Sequence, residues 1–219
     1  MLVIHLLGLV LGALSIPLCR HDMSHDHDQE EDKARFPADE QTPEQQAAFT
    51  EAERRVKEVY GSSFKLKDDH GNLLGPFGIL SYAPTTFLPF LNYTQSYATL
   101  PSLTPKEREL SVLATASVTK SVYILYAHKS IAVTVGLTPK QAQDASEGEI
   151  PEHLAQREQF VYRLALKMAT DFGVISDEVF GDAVTEIGRE GVAQLAQVVG
   201  GYLSGSILVS VADVGLPSS

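Results

Sequence analysis

Apolar residues recur at helical spacing along most of this chain, and turn and capping residues mark where each run begins and ends. From Thr42 an apolar face runs through Phe49, Ala52, Val56, Val59 and Tyr60 until Gly61, which predicts a helix over 43–60. A turn-rich connector follows, with Asp69-His70-Gly71-Asn72 and then Gly75-Pro76-Phe77-Gly78. A further helix is predicted within 85–100, with Pro89 limiting its start. The next helices are predicted over 105–119 and over 121–135, where Gly136 is the stop. Residues 151–172 are strongly periodic through Leu154, Phe160, Val161, Leu164, Met168 and Phe172. Ser176 caps a shorter helix that ends near Gly188, and the last helix covers 192–213. No segment alternates with the period of a strand, so the predicted class is all-α.

Three helix starts share one grammar. Thr42-Pro43-Glu44-Gln45, Thr104-Pro105-Lys106-Glu107 and Thr138-Pro139-Lys140-Gln141 each put Thr at the N-cap and Pro at the first helical position. Glu or Gln then stands three residues after Thr, where it closes a capping box.

The ends of the chain read differently. Residues 1–19 are an apolar leader whose stretch 6–14 suits the core of a signal peptide, with Ala13 and Ser15 as small residues before a cut. Its apolar run is short for a membrane span. Residues 20–41 form an acidic, His/Asp-rich linker, and 42–219 form the helical domain. The linker's His21, His25 and His27 stand among carboxylates, but nothing in such a sequence holds ligands in fixed geometry, so no metal site is expected. The sequon Asn92-Tyr93-Thr94 agrees with a secretory route, which predicts a secreted protein glycosylated at Asn92.

Charge narrows the partners. The 219 residues carry a formal charge of -11 with no dense Lys/Arg stretch, so nucleic acid is not an expected partner. Residues 191–212 contain no charge, and Gly201 and Gly205 have the spacing of close-packed helix pairs. Gln194, Gln197, Ser204, Ser206 and Ser210 dilute the segment, so a helix buried in a bundle or subunit interface is expected rather than a stable membrane span.

The only cysteine in the sequence is Cys19, in the leader. Intramolecular disulfides, zinc–thiolate sites and dithiol redox chemistry are therefore not expected. The remaining chemistry concentrates in 103–137. Folding the two helices there as a hairpin brings Glu109 toward His128, and a carboxylate beside an imidazole in an apolar bundle is a plausible acid/base pair. The alternative is a His that merely hydrogen-bonds across the bundle, with Glu109 solvated near a helix start.

Leu103-Thr104-Pro105-Lys106-Glu107-Arg108-Glu109-Leu110, then Tyr123-x-x-Tyr126-Ala127-His128, then Ala132-x-x-x-Gly136-Leu137-Thr138 resemble the carboxymuconolactone decarboxylase and alkylhydroperoxidase D-like family. In the family's redox branch a Glu is followed, after eleven residues, by Cys-x-x-Cys-x-x-x-His. Glu109, Ser121, Ile124 and His128 fall on those places, so Glu and His match while both cysteines are replaced. Gly75-Pro76-Phe77-Gly78, Tyr202 and Leu216-Pro217 also look like decarboxylase-type members.

The resemblance implies an all-helical, alkylhydroperoxidase D-like bundle that assembles into trimers or hexamers, with pockets near subunit contacts and no cofactor. It implies His128 and Glu109 as catalytic residues and Tyr123, Tyr126, Ser121 and Phe77 as substrate-binding residues. Many decarboxylase-like members carry carboxylates where Val122 and Ile124 stand, and often Trp in place of Leu125. These aliphatic replacements point either to a fairly apolar small-molecule substrate or to lost catalysis. The expected function is a lyase or isomerase acting on a small organic acid or lactone in secondary-metabolite biosynthesis. The alternative is a non-catalytic, oligomeric ligand-binding or scaffold protein of the same fold. An alkylhydroperoxidase-like antioxidant has the least support, because Ser121 does not replace a thiol in peroxide reduction.

Overall fold

The computed structural model describes residues 34–213 and 215–217. The leader and the linker's histidines lie outside the described residues. The described residues form eight α-helices: α1 (Pro43–Tyr60), α2 (Phe77–Ser81), α3 (Pro84–Ser96), α4 (Pro105–Thr119), α5 (Val122–Thr134), α6 (Pro139–Glu147), α7 (Gln156–Thr170) and α8 (Asp177–Ala212). Among the described residues the only β pairing is an isolated bridge between Lys67 and Leu73.

All three Thr-Pro boxes form. Thr42, Thr104 and Thr138 each accept the N3 amide, and Gln45, Glu107 and Gln141 each reach back to the cap amide. The box at Thr104 continues into the core. Glu107 is only 2% exposed; one of its oxygens takes the Thr104 N–H and the other takes Arg157 Nε at 2.7 Å. The same guanidinium donates to the carbonyls of Ser102 and Glu186, so one residue of α7 ties the starts of α4 and α7 to α8.

Helix α4 is the axis of the main core and packs against α5, α6, α7 and α8. Leu110, Leu113, Ala114 and Ala116 are wholly buried along it, and small residues at 114 and 116 let neighbouring helices approach. A second apolar cluster joins α1, α2 and α3 through Phe49, Val56, Leu80, Phe87 and Leu91. The last residues of the expected linker pack on this domain. Phe36 stacks edge-on against Tyr82, Pro37 accepts the Tyr82 hydroxyl, and Arg35 pairs with Asp213.

Several boundaries differ from expectation for local reasons. Helix α3 begins at Pro84 and runs through Pro89, which is exposed and removes only the donor due to Thr85. Helix α7 begins at Gln156 rather than at 151, because His153 adopts φ 62° and breaks the turn before it. It ends at Thr170, leaving Phe172 at φ 51° and 84% exposed instead of on the core face. Val59 is exposed at the end of α1 while Phe49, Ala52 and Val56 are buried. The short α2 had no sequence signal of its own. The stop at Gly188 does occur, as a non-helical residue at φ 72°, after which α8 resumes.

By length and composition α8 could cross a membrane, and 39% of its most apolar window is buried within the fold. Leu195, Val198, Val199 and Val209 enter the core, whereas Ile207 and Val211 face outward. The Gly201/Gly205 face, expected to pack closely in a bundle or subunit interface, meets Tyr97 and Ile124 of this chain. A Cβ on Gly201 would lie 2.0 Å from the Tyr97 hydroxyl, and one on Gly205 would touch Ile124.

Candidate active site

The α4–α5 hairpin turns at Lys120, which takes the left-handed conformation (φ 57°). This reversal puts Glu109, one turn into α4, opposite His128 near the middle of α5. Glu109 Oε2 and His128 Nδ1 are 2.7 Å apart, with side chains 13% and 10% exposed. On the other edge of the ring, Nε2 lies 3.2 Å from the Tyr202 hydroxyl of α8, and the two rings meet edge to face.

The partners assign the protons. A carboxylate accepts, so neutral His128 carries its hydrogen on Nδ1 and Nε2 is left to accept from Tyr202. Burial holds the Tyr202 hydroxyl well above its ordinary pKa, with Tyr60 and Glu109 adding to the effect. Tyr202 is therefore a donor at any physiological pH. The result is a line, Glu109 to His128 to Tyr202, drawn from three helices.

Two cavities flank this line. The first, about 100 Å³, has His128 and Tyr202 in its wall and is otherwise mainly apolar, through Phe64, Phe77, Phe90, Ile124 and Ile131. The second, about 250 Å³, is more polar and has Arg108, Glu109 and Tyr97 in its wall. Tyr60, Thr94, Ile131 and Tyr202 border both. Burial and then the Glu109 charge push Tyr60 up to about 12.

No family model and no curated protein matches the chain. Among solved structures it is similar to an uncharacterised peroxidase-related protein with an alkylhydroperoxidase D core from Ralstonia eutropha. Identity is 22%, the TM-score is 0.63, and the match covers 81% of this chain and 89% of that one. The fold is alkylhydroperoxidase D-like.

Within this alkylhydroperoxidase D-like fold the other sequence-derived residues take distinct places. The Tyr123 hydroxyl donates to the Lys65 carbonyl at 2.9 Å, and the Lys65 amide donates to the Tyr126 hydroxyl at 3.2 Å. Both hydroxyls thus hold the 61–76 connector to α5, while the Tyr123 ring lines the first cavity. That ring also explains Gly75: at φ 66°, a Cβ there would lie 2.4 Å from Tyr123. Phe77 lines the first cavity. Ser121, at the N-cap of α5, is buried, its hydroxyl has no partner among the described residues, and it borders neither cavity. Asn92 is exposed on α3, and its side-chain oxygen accepts from Arg55 at 2.6 Å.

The described positions corresponding to the redox pair are Ser121 and Ile124, so this site contains no thiol. The acidic group Asp144, Glu147 and Glu149 brings carboxylate oxygens within 4.8 Å of one another, but it borders neither cavity and Lys140 already pairs with Asp144. Sequence reasoning did not place Tyr202 or Tyr60 in the site. The available signals for Tyr202 were its likeness to decarboxylase-type members and its place as the single phenol in the charge-free segment 191–212.

Proposed function

We propose that the protein is an acid/base enzyme, a lyase or isomerase, acting on a small and fairly apolar organic acid or lactone. The carrying observation is the hydrogen-bonded line Glu109–His128–Tyr202 opening on an apolar cavity. In an isomerisation, His128 Nε2 takes a proton from carbon, and the adjacent Glu109 carboxylate stabilises the imidazolium that forms. The substrate's oxygen first takes over the Tyr202 hydrogen that Nε2 accepts in the free site, which frees the Nε2 lone pair; the C–H electron pair then moves into an enolate whose oxygen keeps that hydrogen bond. The imidazolium exchanges this proton with solvent and then delivers one to a different carbon. In a decarboxylation the carbon–carboxylate bond breaks instead, its electrons form the same enolate, and protonated His128 delivers the proton.

The apolar rings of Phe64, Phe77 and Phe90 lower the polarity around these groups, which strengthens each of these interactions. Either reaction writes a solvent-derived hydrogen onto carbon. Incubation with a panel of small lactone acids and β-keto acids in D2O is expected to give a product with one deuterium on the newly protonated carbon. The apolar lining of the first cavity favours one other reading, a ligand-binding protein without catalysis. Tight binding of panel members with neither turnover nor deuterium exchange supports that reading against the enzyme.

A further inference from the structure

The proposed chemistry uses the first cavity and leaves the second without a role. Its wall holds a cation with no carboxylate partner. Arg108 makes no ion pair within 4.0 Å among the described residues, and its one hydrogen bond runs from an Nη to the Leu103 carbonyl at 2.8 Å. Four of the five guanidinium N–H donors therefore have no protein acceptor there. The neighbouring carboxylate does not serve: Glu109 lies beyond salt-bridge distance from Arg108, and its Oε2 is committed to His128. Arg108 is half-buried, and desolvation disfavours its charge, with Glu109 offsetting only part of the effect.

A second donor stands in the same wall. The Tyr60 hydroxyl has no hydrogen-bond partner among the described residues, and burial keeps it protonated up to about pH 12. Of the other hydroxyls of the wall, Ser63 donates to the Tyr60 carbonyl, Thr94 to the Phe90 carbonyl and Thr134 to the Ile131 carbonyl, Tyr202 meets His128, and the buried Tyr97 hydroxyl has no partner among the described residues. Unused donors on Arg108, Tyr60 and Tyr97 thus border a space of about 250 Å³ in which the Glu109 carboxylate, already bonded to His128, is the one acidic side chain among the described residues of the wall. An oxyanion complements such a wall, and a flat guanidinium favours one with two oxygens in its plane.

We propose that the second cavity is a carboxylate-binding subsite in which the Arg108 guanidinium and the Tyr60 hydroxyl hold the two oxygens of a small organic acid. This rests on the reading above only in assigning the carboxylate to the substrate; anion binding itself requires no turnover. It selects acids carrying a free carboxylate over neutral lactones. Because Tyr60 and Tyr202 also border the first cavity, an acid held here has its body directed along the wall that carries the Tyr202 hydroxyl.

The test is calorimetric or NMR titration of the full folded chain with sodium benzoate, with benzamide as the neutral isostere and inorganic phosphate as the competing oxyanion. Benzoate is expected to bind at least roughly tenfold more tightly than benzamide, and Arg108→Gln to remove about that factor. Tyr60→Phe should weaken binding by roughly two- to fivefold, the order expected for one hydrogen bond. His128→Gln should bind benzoate much as the wild type does, so a failed acid/base reading and a failed subsite remain distinguishable. Arg108→Lys, which keeps the charge, covers the case in which the Gln variant does not fold, and intermediate affinity is expected. Equal affinity for benzoate and benzamide, unchanged binding in Arg108→Gln or Arg108→Lys, or a preference for phosphate overturns the proposal.

Discussion

The Tyr202 hydroxyl stands 3.2 Å from His128 Nε2, on the opposite side of the imidazole from Glu109, although the two residues are 74 positions apart in the chain. The contact fixes Nε2 as the acceptor and makes the phenol the nearest donor for negative charge developing in the first cavity. Tyr202→Phe retains the edge-to-face ring packing and removes the donor. Turnover is expected to fall by roughly ten- to a hundredfold, mainly in kcat, as for the loss of one oxyanion donor. Steady-state kinetics at constant melting temperature checks this; an unchanged kcat removes Tyr202 from the chemistry.

Gly201, next to Tyr202, makes room for Tyr97. A methyl group at 201 would lie 2.0 Å from the Tyr97 hydroxyl and 2.9 Å from its ring carbon, so Tyr97 must move. Gly201→Ala is expected to cost about 1–3 kcal/mol, the range for overpacking a close-packed site. Adding Tyr97→Phe removes the worst contact and should recover part of the loss. Strictly additive effects in denaturant unfolding would contradict this packing.

Helix starts were the most legible part of the fold. Each of the three Thr-Pro boxes is complete within four residues, so local chemistry determines it. The starts of α2 and α7 depend on packing and on the turn at His153, which no short motif announces. The Glu109–His128 pair was legible for the same reason: one hairpin joins consecutive helices. Tyr202 and Tyr60 reach the pair from α8 and α1, so their place depends on how distant helices dock. Tyr123 and Tyr126 show the converse. Their spacing on α5 marked them as pocket residues, but only the path of the 61–76 connector revealed that their hydroxyls hold Lys65.

The junction at Glu107 gives a stability prediction. Arg157→Ala leaves a carboxylate that is 2% exposed without its cation. The Arg157 side chain is itself 42% exposed, so the expected loss is about 3 kcal/mol, the low end for breaking a buried pair. Glu107→Gln in the Arg157→Ala background removes the stranded charge and should recover part of that stability. If the second substitution lowers stability further by its full single-variant amount, the pair does not act as a unit.

Alkaline pH should unfold the protein at a predictable point. Burial raises the pKa of Tyr60 to about 12 from an ordinary 10.0, and raises Tyr97, Tyr123, Tyr162 and Tyr202 further. A raised folded-state value means that the stabilisation is complete below the unfolded value near 10.0 and is lost as pH rises through the folded ones. Melting temperature is therefore expected to hold up to about pH 10 and fall steeply toward pH 12, with tyrosinate absorbance appearing together with unfolding. Full tyrosinate absorbance near pH 10.5 in a still-folded protein would contradict the burial of these phenols.

The central claim is that His128 moves the proton. The most direct measurement compares wild type and His128→Gln on one substrate that the wild type converts, with melting temperature and assembly size recorded for both. Gln keeps polarity and approximate size but does not titrate. The account predicts a folded variant with turnover lower by about a hundredfold or more, and deuterium from D2O entering product at a correspondingly lower rate. A folded His128→Gln protein that converts the same substrate at the wild-type rate contradicts it.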